Sequence, residues 1–261
     1  MQKMKKLRHL LTVIAIASVT ACSSTSDEQL AEGVAEVEEK KRTALTLYKE
    51  AKMTMDEGLY NRAIELFNQL DALFPFGPMS KQIQLDLIYA YYKSVKNAQA
   101  IASIDRFIRL HPNDKDLDYI YFMRGLVNMG SDTNMFQDMF GIDRADKDLE
   151  TTRQAFTDFK TLITTYPESK YAADARKRMT FLLDKMARRE LFVANYYMKK
   201  GAYVAAANRG KYVLENYPNS PRIEQALEVM IESYDQLGLD DMKNDTLKVL
   251  RLNYPENEFG R

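Results

Sequence analysis

The stretch TTYPES, Thr164–Ser169, closes an apolar run of helical spacing with a ring and then a proline. The same ending returns in LFPFG (73–77), LHPND (110–114), NYPNS (216–220) and NYPEN (253–257), so five of the seven prolines follow Phe74, His111, Tyr166, Tyr217 and Tyr254. A residue before proline is driven out of the helical region, and proline itself has no N–H to continue a helix. Each of the five is therefore expected to end one helix and turn the chain into the next.

Counting backwards from these prolines exposes a repeat. Twelve residues before them stand Ala63, Ala100, Ala155 and Ala206, with Lys243 the exception; eight before stand Phe67, Ile104, Phe159 and Leu247, with Gly210 the exception. Five before stand Leu70, Phe107, Leu162, Val213 and Leu250. Seventeen before, Gly58, Gly201 and Gly238 mark an interhelix turn, with Val95 in the second unit. A small residue at a helix crossing, large residues beneath it and a glycine helix terminator suit a helical hairpin of the tetratricopeptide kind, whose period is about 34 residues. The fold class expected is all-α, a solenoid of five hairpins near 44–77, 81–114, 118–169, 170–220 and 222–257.

Proline spacings of 37, 55, 51 and 37 residues leave two places that break the period. The segment NMGSDTNMFQDMFGIDRADKDLETT, 128–152, holds an excursion of about 18 residues from an interhelix turn, and such inserts often bind something. The segment 171–201 keeps helical spacing with no Gly or Pro before Gly201, and reads as one long helix or as two meeting near Arg188.

Composition agrees with a helical chain. Among 261 residues there are only ten glycines, seven prolines and no tryptophan. Formal charge is zero, but Lys3, Lys5, Lys6 and Arg8 fall in a removable leader, which leaves 33 basic against 37 acidic residues, a net of −4. A mildly acidic chain is a poor match for nucleic acid.

That leader is MKKLRH (4–9), a short apolar run LLTVIAIASV (10–19) and VTAC (19–22). The run is too short to span a bilayer and has the layout of a signal peptide. VTAC resembles the bacterial lipobox, in which the cysteine is acylated and becomes the mature N-terminus; the alternative is a plain secretory signal. Cys22 is the only cysteine. Expected domains are a signal peptide over 1–21, the acylated Cys22 and a polar tether over 22–43, and the repeat domain over 44–261. Ser23 after the cysteine, rather than Asp, implies sorting to the outer membrane, with the protein facing the periplasm.

Catalytic chemistry has few carriers. Outside the leader the one histidine is His111, at a helix-ending turn, so no triad can be assembled. DRADKDLE (143–150) lacks the glycine and spacing of a calcium loop, and no glycine-rich phosphate loop occurs. No enzyme, no metal and no cofactor are expected.

A groove is what the repeats offer instead. In the first helices of units one to three, positions that face the concave side carry Leu45, Tyr48, Lys52 and Met55, then Gln82, Leu85, Tyr89 and Tyr92, then Tyr119, Phe122, Leu126 and Met129. An extended peptide with aromatic side chains fits such a surface, with its terminal carboxylate near Lys52 or Lys93. The alternative is that these rings pack between units.

FPFGP (74–78), QLDLIYAYYK (84–93), IDRFIRLHP (104–112), DYIYFMRGLVNM (118–129) and FGIDRAD (140–146) resemble the BamD family, outer-membrane lipoproteins of the β-barrel assembly machinery. The resemblance covers nearly the whole mature chain and thins after Pro218. It implies a scaffold that recognises unfolded outer-membrane proteins and docks onto BamA beside smaller Bam lipoproteins. It also implies that later units hold the BamA contact, for which Arg209 in AANRG (206–210) is the candidate, with Gly210 exposing backbone beside it. Another periplasmic repeat lipoprotein, such as a pilus-assembly or cell-wall-coordination factor, is the competing assignment.

Overall fold

The computed structural model describes residues 24–77, 79–130 and 149–259, with side chains from residue 37 onward. The leader, Cys22 and most of the 128–152 excursion, DRADKD included, lie outside the described residues. Ten α-helices and no strand occur among them. In chain order they are α1 (Ser24–Asp56), α2 (Tyr60–Leu73), α3 (Ser80–Lys93), α4 (Asn97–Leu110) and α5 (Leu117–Gly130), then α6 (Glu150–Thr165), α7 (Ala172–Lys199), α8 (Tyr203–Asn216), α9 (Ile223–Gln236) and α10 (Asp240–Asn253). Helical backbone extends back to Ser24, through most of the stretch expected as a tether.

The five ring residues are the five helix ends. Phe74, His111, Tyr166, Tyr217 and Tyr254 each cap a helix with φ between −134° and −128° and ψ between 50° and 70°. Each cap N–H still donates to a carbonyl four residues back, on Leu70, Phe107, Leu162, Val213 and Leu250. The chain leaves the helix only where the following proline ring forbids another helical ψ. Two residues after the proline, Asp114, Ser169, Ser220 and Asn257 send their N–H back to the cap carbonyl. Their side-chain oxygens then accept the N–H of Asp116, Tyr171, Arg222 and Phe259. These Asx- and Ser-type turns aim the chain into the next helix.

The turns inside hairpins repeat as closely. Gly58, Val95, Gly201 and Gly238 have φ of 80°, 59°, 69° and 67°. Each donates to a carbonyl three residues back, and the next residue donates to one five back, which is a Schellman close. Val95 is the sole non-glycine with positive φ among the described residues, and it is exposed. A β-branched residue there costs roughly 1–2 kcal/mol, against a smaller unfolded-state gain. Val95→Gly is expected to raise stability by about 1 kcal/mol. A urea melt with no upward shift of the midpoint would refute this.

Two compact units partition the chain, Met1–Ile83 and Gln84–Arg261. In the first, α1 and α2 bury Ala51, Met55, Ala63, Ile64, Phe67 and Leu70. In the second, successive helices from α4 to α10 pack in chain order, and α7 also touches α9. Its core is a series of clusters: Ile88, Ile104, Phe107 and Ile120; then Phe159, Leu162, Ala175 and Leu182; then Met186, Leu191, Val213 and Ala226; then Leu227, Ile231, Leu247 and Leu250. The alanines at the crossing position, Ala63, Ala100, Ala155 and Ala206, are fully buried. The 171–201 question resolves as one continuous helix, α7. Its first half packs in the α5–α6 cluster and its second half in the α8–α9 cluster.

Candidate functional site

In the second unit, α3, α5 and the turn after Pro167 bring aromatic rings together. Tyr119 lies 5.8 Å from Tyr171, and Phe122 stacks on Tyr171 at 4.8 Å and 17° while tilting against Phe159 at 5.9 Å. Arg178 of α7 stands over Phe122 at 5.9 Å, and Lys170 over Tyr171 at 5.0 Å. Burial pushes the Tyr119 phenol above its ordinary range, with Tyr171, Asp86 and Tyr89 adding to it. Tyr89 and Tyr92 are half-buried against the cluster of Ile88 and Phe107, and Lys93 is exposed in the last turn of α3. The cluster is an aromatic surface with cations at its margin. Such a surface can hold apolar side chains of an extended peptide and pair with an anionic end.

Several expected positions fall elsewhere. Leu85 is only 8 % exposed and packs with Ile88, Ala100 and Ile104, so it belongs to the core and not to a groove. It sits on the α3 face turned to α4 and α5. Met55 and Met129 are likewise buried. Tyr48 and Lys52 lie in the first unit; Tyr48 is half-buried with its ring 6.1 Å from the buried Phe67, and Lys52 is half-exposed. That unit has an apolar recess of about 470 Å³ that the sequence reading did not single out, between Val37, Ala44 and Leu45 of α1 and Phe74, Phe76 and Met79. Phe76 is 90 % exposed beside it.

Tyr171 and Arg178 were also missed. Tyr171 follows the proline turn, where spacing counted along first helices does not reach. Arg178 stacks from a helix 49 residues beyond Met129, whose sulfur it also approaches. It lies in the second turn of α7, in the half of that helix that packs against α5 and α6.

Arg209 has a partner within the chain. Its Nη1 meets Glu190 Oε2 of α7 at 2.8 Å, and Glu190 is buried. The hydrogen bond to Glu190 raises the Arg209 pKa further above its ordinary value. Gly210 also departs from expectation, because it is buried and does not expose backbone. A Cβ there would come 2.7 Å from Met230 Cγ and 2.8 Å from the Ala226 carbonyl oxygen, so glycine allows α8 to lie against α9.

Polar groups elsewhere are structural. The buried Asp158 accepts from Asn128 at 2.6 Å and Gln154 at 3.2 Å, and Arg124 lies between it and Asp105 at 3.4 Å from each. Burial raises the Asp158 pKa while Asn128 and Arg124 oppose the rise. His111 packs its ring 4.8 Å from Phe107. Among the described residues no cluster of His, Cys, Asp and Glu could hold a metal ion, and no helix is long and apolar enough to cross a membrane.

A family model described as "YfiO: Outer membrane lipoprotein" matches residues 40–250, most of the chain and every hairpin. The chain belongs to this family. Relatives that carry the name outer membrane protein assembly factor BamD include one from Vibrio cholerae, 42 % identical over 79 % of this chain and 86 % of its own. One from Neisseria meningitidis serogroup A is 39 % identical over 82 % and 80 %, and one from Pasteurella multocida 34 % identical over 96 % and 92 %. The BamD resemblance read from the motifs is thus a family membership, and the helical-hairpin architecture agrees with it.

Proposed function

We propose that this chain is an outer-membrane lipoprotein scaffold of the β-barrel assembly machinery, which recognises unfolded outer-membrane proteins and docks onto BamA for their folding and insertion. Kinship over most of the chain with proteins named as outer membrane protein assembly factors carries this. The smaller Bam lipoproteins complete its set of partners. No chemistry is required of it: it works by presenting surfaces on packed helices.

For the client, the aromatic cluster of the second unit is the favoured surface. A barrel strand alternates apolar and polar side chains and typically ends in an aromatic residue. Rings held by core packing meet such a strand without ordering a loop first, which limits the entropy lost on binding. Tyr89→Ala with Tyr92→Ala is expected to weaken a C-terminal strand peptide about tenfold, since each ring supplies roughly 0.5–1.5 kcal/mol beyond area burial. A scrambled peptide should lose less. Fluorescence anisotropy with both peptides decides: equal losses, or a loss accompanied by a collapsed melting temperature, would return these tyrosines to the core alone. Tyr119 and Phe122 extend the same surface, and Lys93 stands nearby for a carboxylate.

For the anchor, acylation of Cys22 places the protein on the periplasmic face of the outer membrane. Several acyl chains at about 0.8 kcal/mol per buried CH₂ hold far more firmly than one. Cys22→Ala should leave the protein poorly exported or released from membranes. A variant that stays bound after a high-salt wash would exclude the lipid anchor.

A further inference from the structure

The outward face of α7 from Phe181 to Lys200 carries charge of one sign. This stretch has two acidic residues, the half-buried Asp184 and the buried Glu190, and both are engaged within the chain. Asp184 accepts from Arg222 Nε at 2.7 Å and from Arg188 Nε at 3.1 Å, one carboxylate shared by two guanidinium groups. Glu190 is buried under Arg209. Exposed on the same helix are Arg188 and Lys199, with Lys200 at its end. Three exposed rings share this face: Phe181 at 39 %, before Arg188, and Phe192 at 46 % and Tyr196 at 54 %, between Arg188 and Lys199.

Positions 181, 188, 192, 196 and 199 follow helical spacing, so rings and cations form one stripe about 27 Å long. Lys200 lies 5.8 Å from the Tyr196 ring and is held near the stripe's end. In a chain of zero formal charge this is a concentration of one sign beside apolar area. Tyr, Phe and Arg are the residues enriched in protein interfaces. A membrane-lying helix has a different layout: its rings form an unbroken stripe that sinks about 5–10 Å into the bilayer, with cations at the flanks. Here Arg188, Asn195 and Lys199 interrupt the rings at their own level; Arg188 is held by Asp184 at 3.1 Å, and the exposed ammonium groups of Lys199 and Lys200 are the cations presented to a carboxylate.

We propose that this face of α7 docks an acidic polypeptide segment of a partner protein, one whose carboxylates alternate with aromatic or aliphatic side chains. The proposal stands apart from the client surface on α3 and α5, and either can fail without the other. It differs also from the Arg209 position, which lies on α8.

The test uses the full-length protein in detergent and a labelled 16-residue peptide alternating Glu with Phe and Leu. Controls are the same peptide with Gln for each Glu, and phosphatidylglycerol vesicles. The acidic peptide should bind, and weaken with salt; the Gln peptide should bind about tenfold more weakly or worse, a loss of about 1.4 kcal/mol. Phe192→Ala with Tyr196→Ala should weaken the acidic peptide by a similar factor, as should Lys199→Glu with Lys200→Glu. Because these side chains are exposed, the melting temperature should not move; if one pair unfolds the protein, the other pair decides. Equal binding of both peptides, unchanged binding by both pairs, or binding of vesicles without peptide would overturn the proposal. In cells, a photocrosslinker at Phe192 should attach to an acidic segment of a protein. Attachment to a neutral or basic segment, to lipid only, or to nothing would overturn it as well.

Discussion

Arg209→Glu is expected to cost the protein about 3 kcal/mol of stability, whatever it does to partner binding. The guanidinium stands 2.8 Å from Glu190, whose side chain is 8 % exposed, while Arg209 itself is 42 % exposed. Breaking a buried pair by removing one member costs about 3–5 kcal/mol, because a charge is left without compensation. Here the replacement adds a second carboxylate, and the partial exposure of Arg209 lets water and counterions relieve part of that, which places the loss at the low end. For a chain of this size that lowers the melting midpoint by about 6–12 °C. A simple charge reversal therefore cannot report on BamA docking alone. The double variant Glu190→Gln with Arg209→Gln separates the two effects, since two amides can still hydrogen-bond and no charge remains to be buried. It is expected to melt near the wild type and to co-purify less BamA. Full co-purification at wild-type melting would remove Arg209 from the interface, and wild-type melting of Arg209→Glu would show that the pair with Glu190 contributes little in solution.

The pair of Arg209 with Glu190 lies beyond the reach of sequence offsets. Helix ends, crossing alanines and buried large residues were legible because each is a local steric requirement repeated at fixed offsets: proline after a ring, glycine at positive φ, alanine where two helices touch. Val95 was legible as a missing glycine, and its φ of 59° shows that the turn keeps its shape without one. Partner choice was not legible, because Glu190 and Arg209 meet across 19 residues through the packing of α7 on α8. Leu85 was misplaced for a related reason: offsets along a first helix identify a face, but the neighbouring helices decide which edge of that face is covered. Tyr171 and Arg178 were missed because they come from a proline turn and from the start of α7, which packs back on α5 and α6 from the next unit.

Gly210 is the case in which the repeat pattern itself misleads. Its counterparts in the other hairpins are Phe67, Ile104, Phe159 and Leu247, so restoring a large residue looks like a repair. Gly210→Leu is expected instead to destabilise the protein by about 3 kcal/mol or more, beyond the usual 1–3 kcal/mol of overpacking, because one obstacle is backbone. Even Gly210→Ala sets two effects against each other. Alanine in a helix interior gains roughly 0.8–1.0 kcal/mol over glycine. Its Cβ, however, would lie 2.7 Å from Met230 Cγ and 2.8 Å from the Ala226 carbonyl oxygen. The methionine can swing aside, since its chain is flexible. The carbonyl cannot move without shifting α9, whose residues Ala226, Leu227 and Ile231 are buried. Steric cost should therefore exceed propensity, with Gly210→Ala losing about 1–2 kcal/mol net. Met230→Ala should rescue part of this and no more, because it removes the side-chain obstacle and leaves the backbone one. Denaturant melts of the two single variants and the double give the coupling directly. A stabilised Gly210→Ala would mean that α8 and α9 are not held at this distance, and full rescue by Met230→Ala would mean that the methionine was the only barrier.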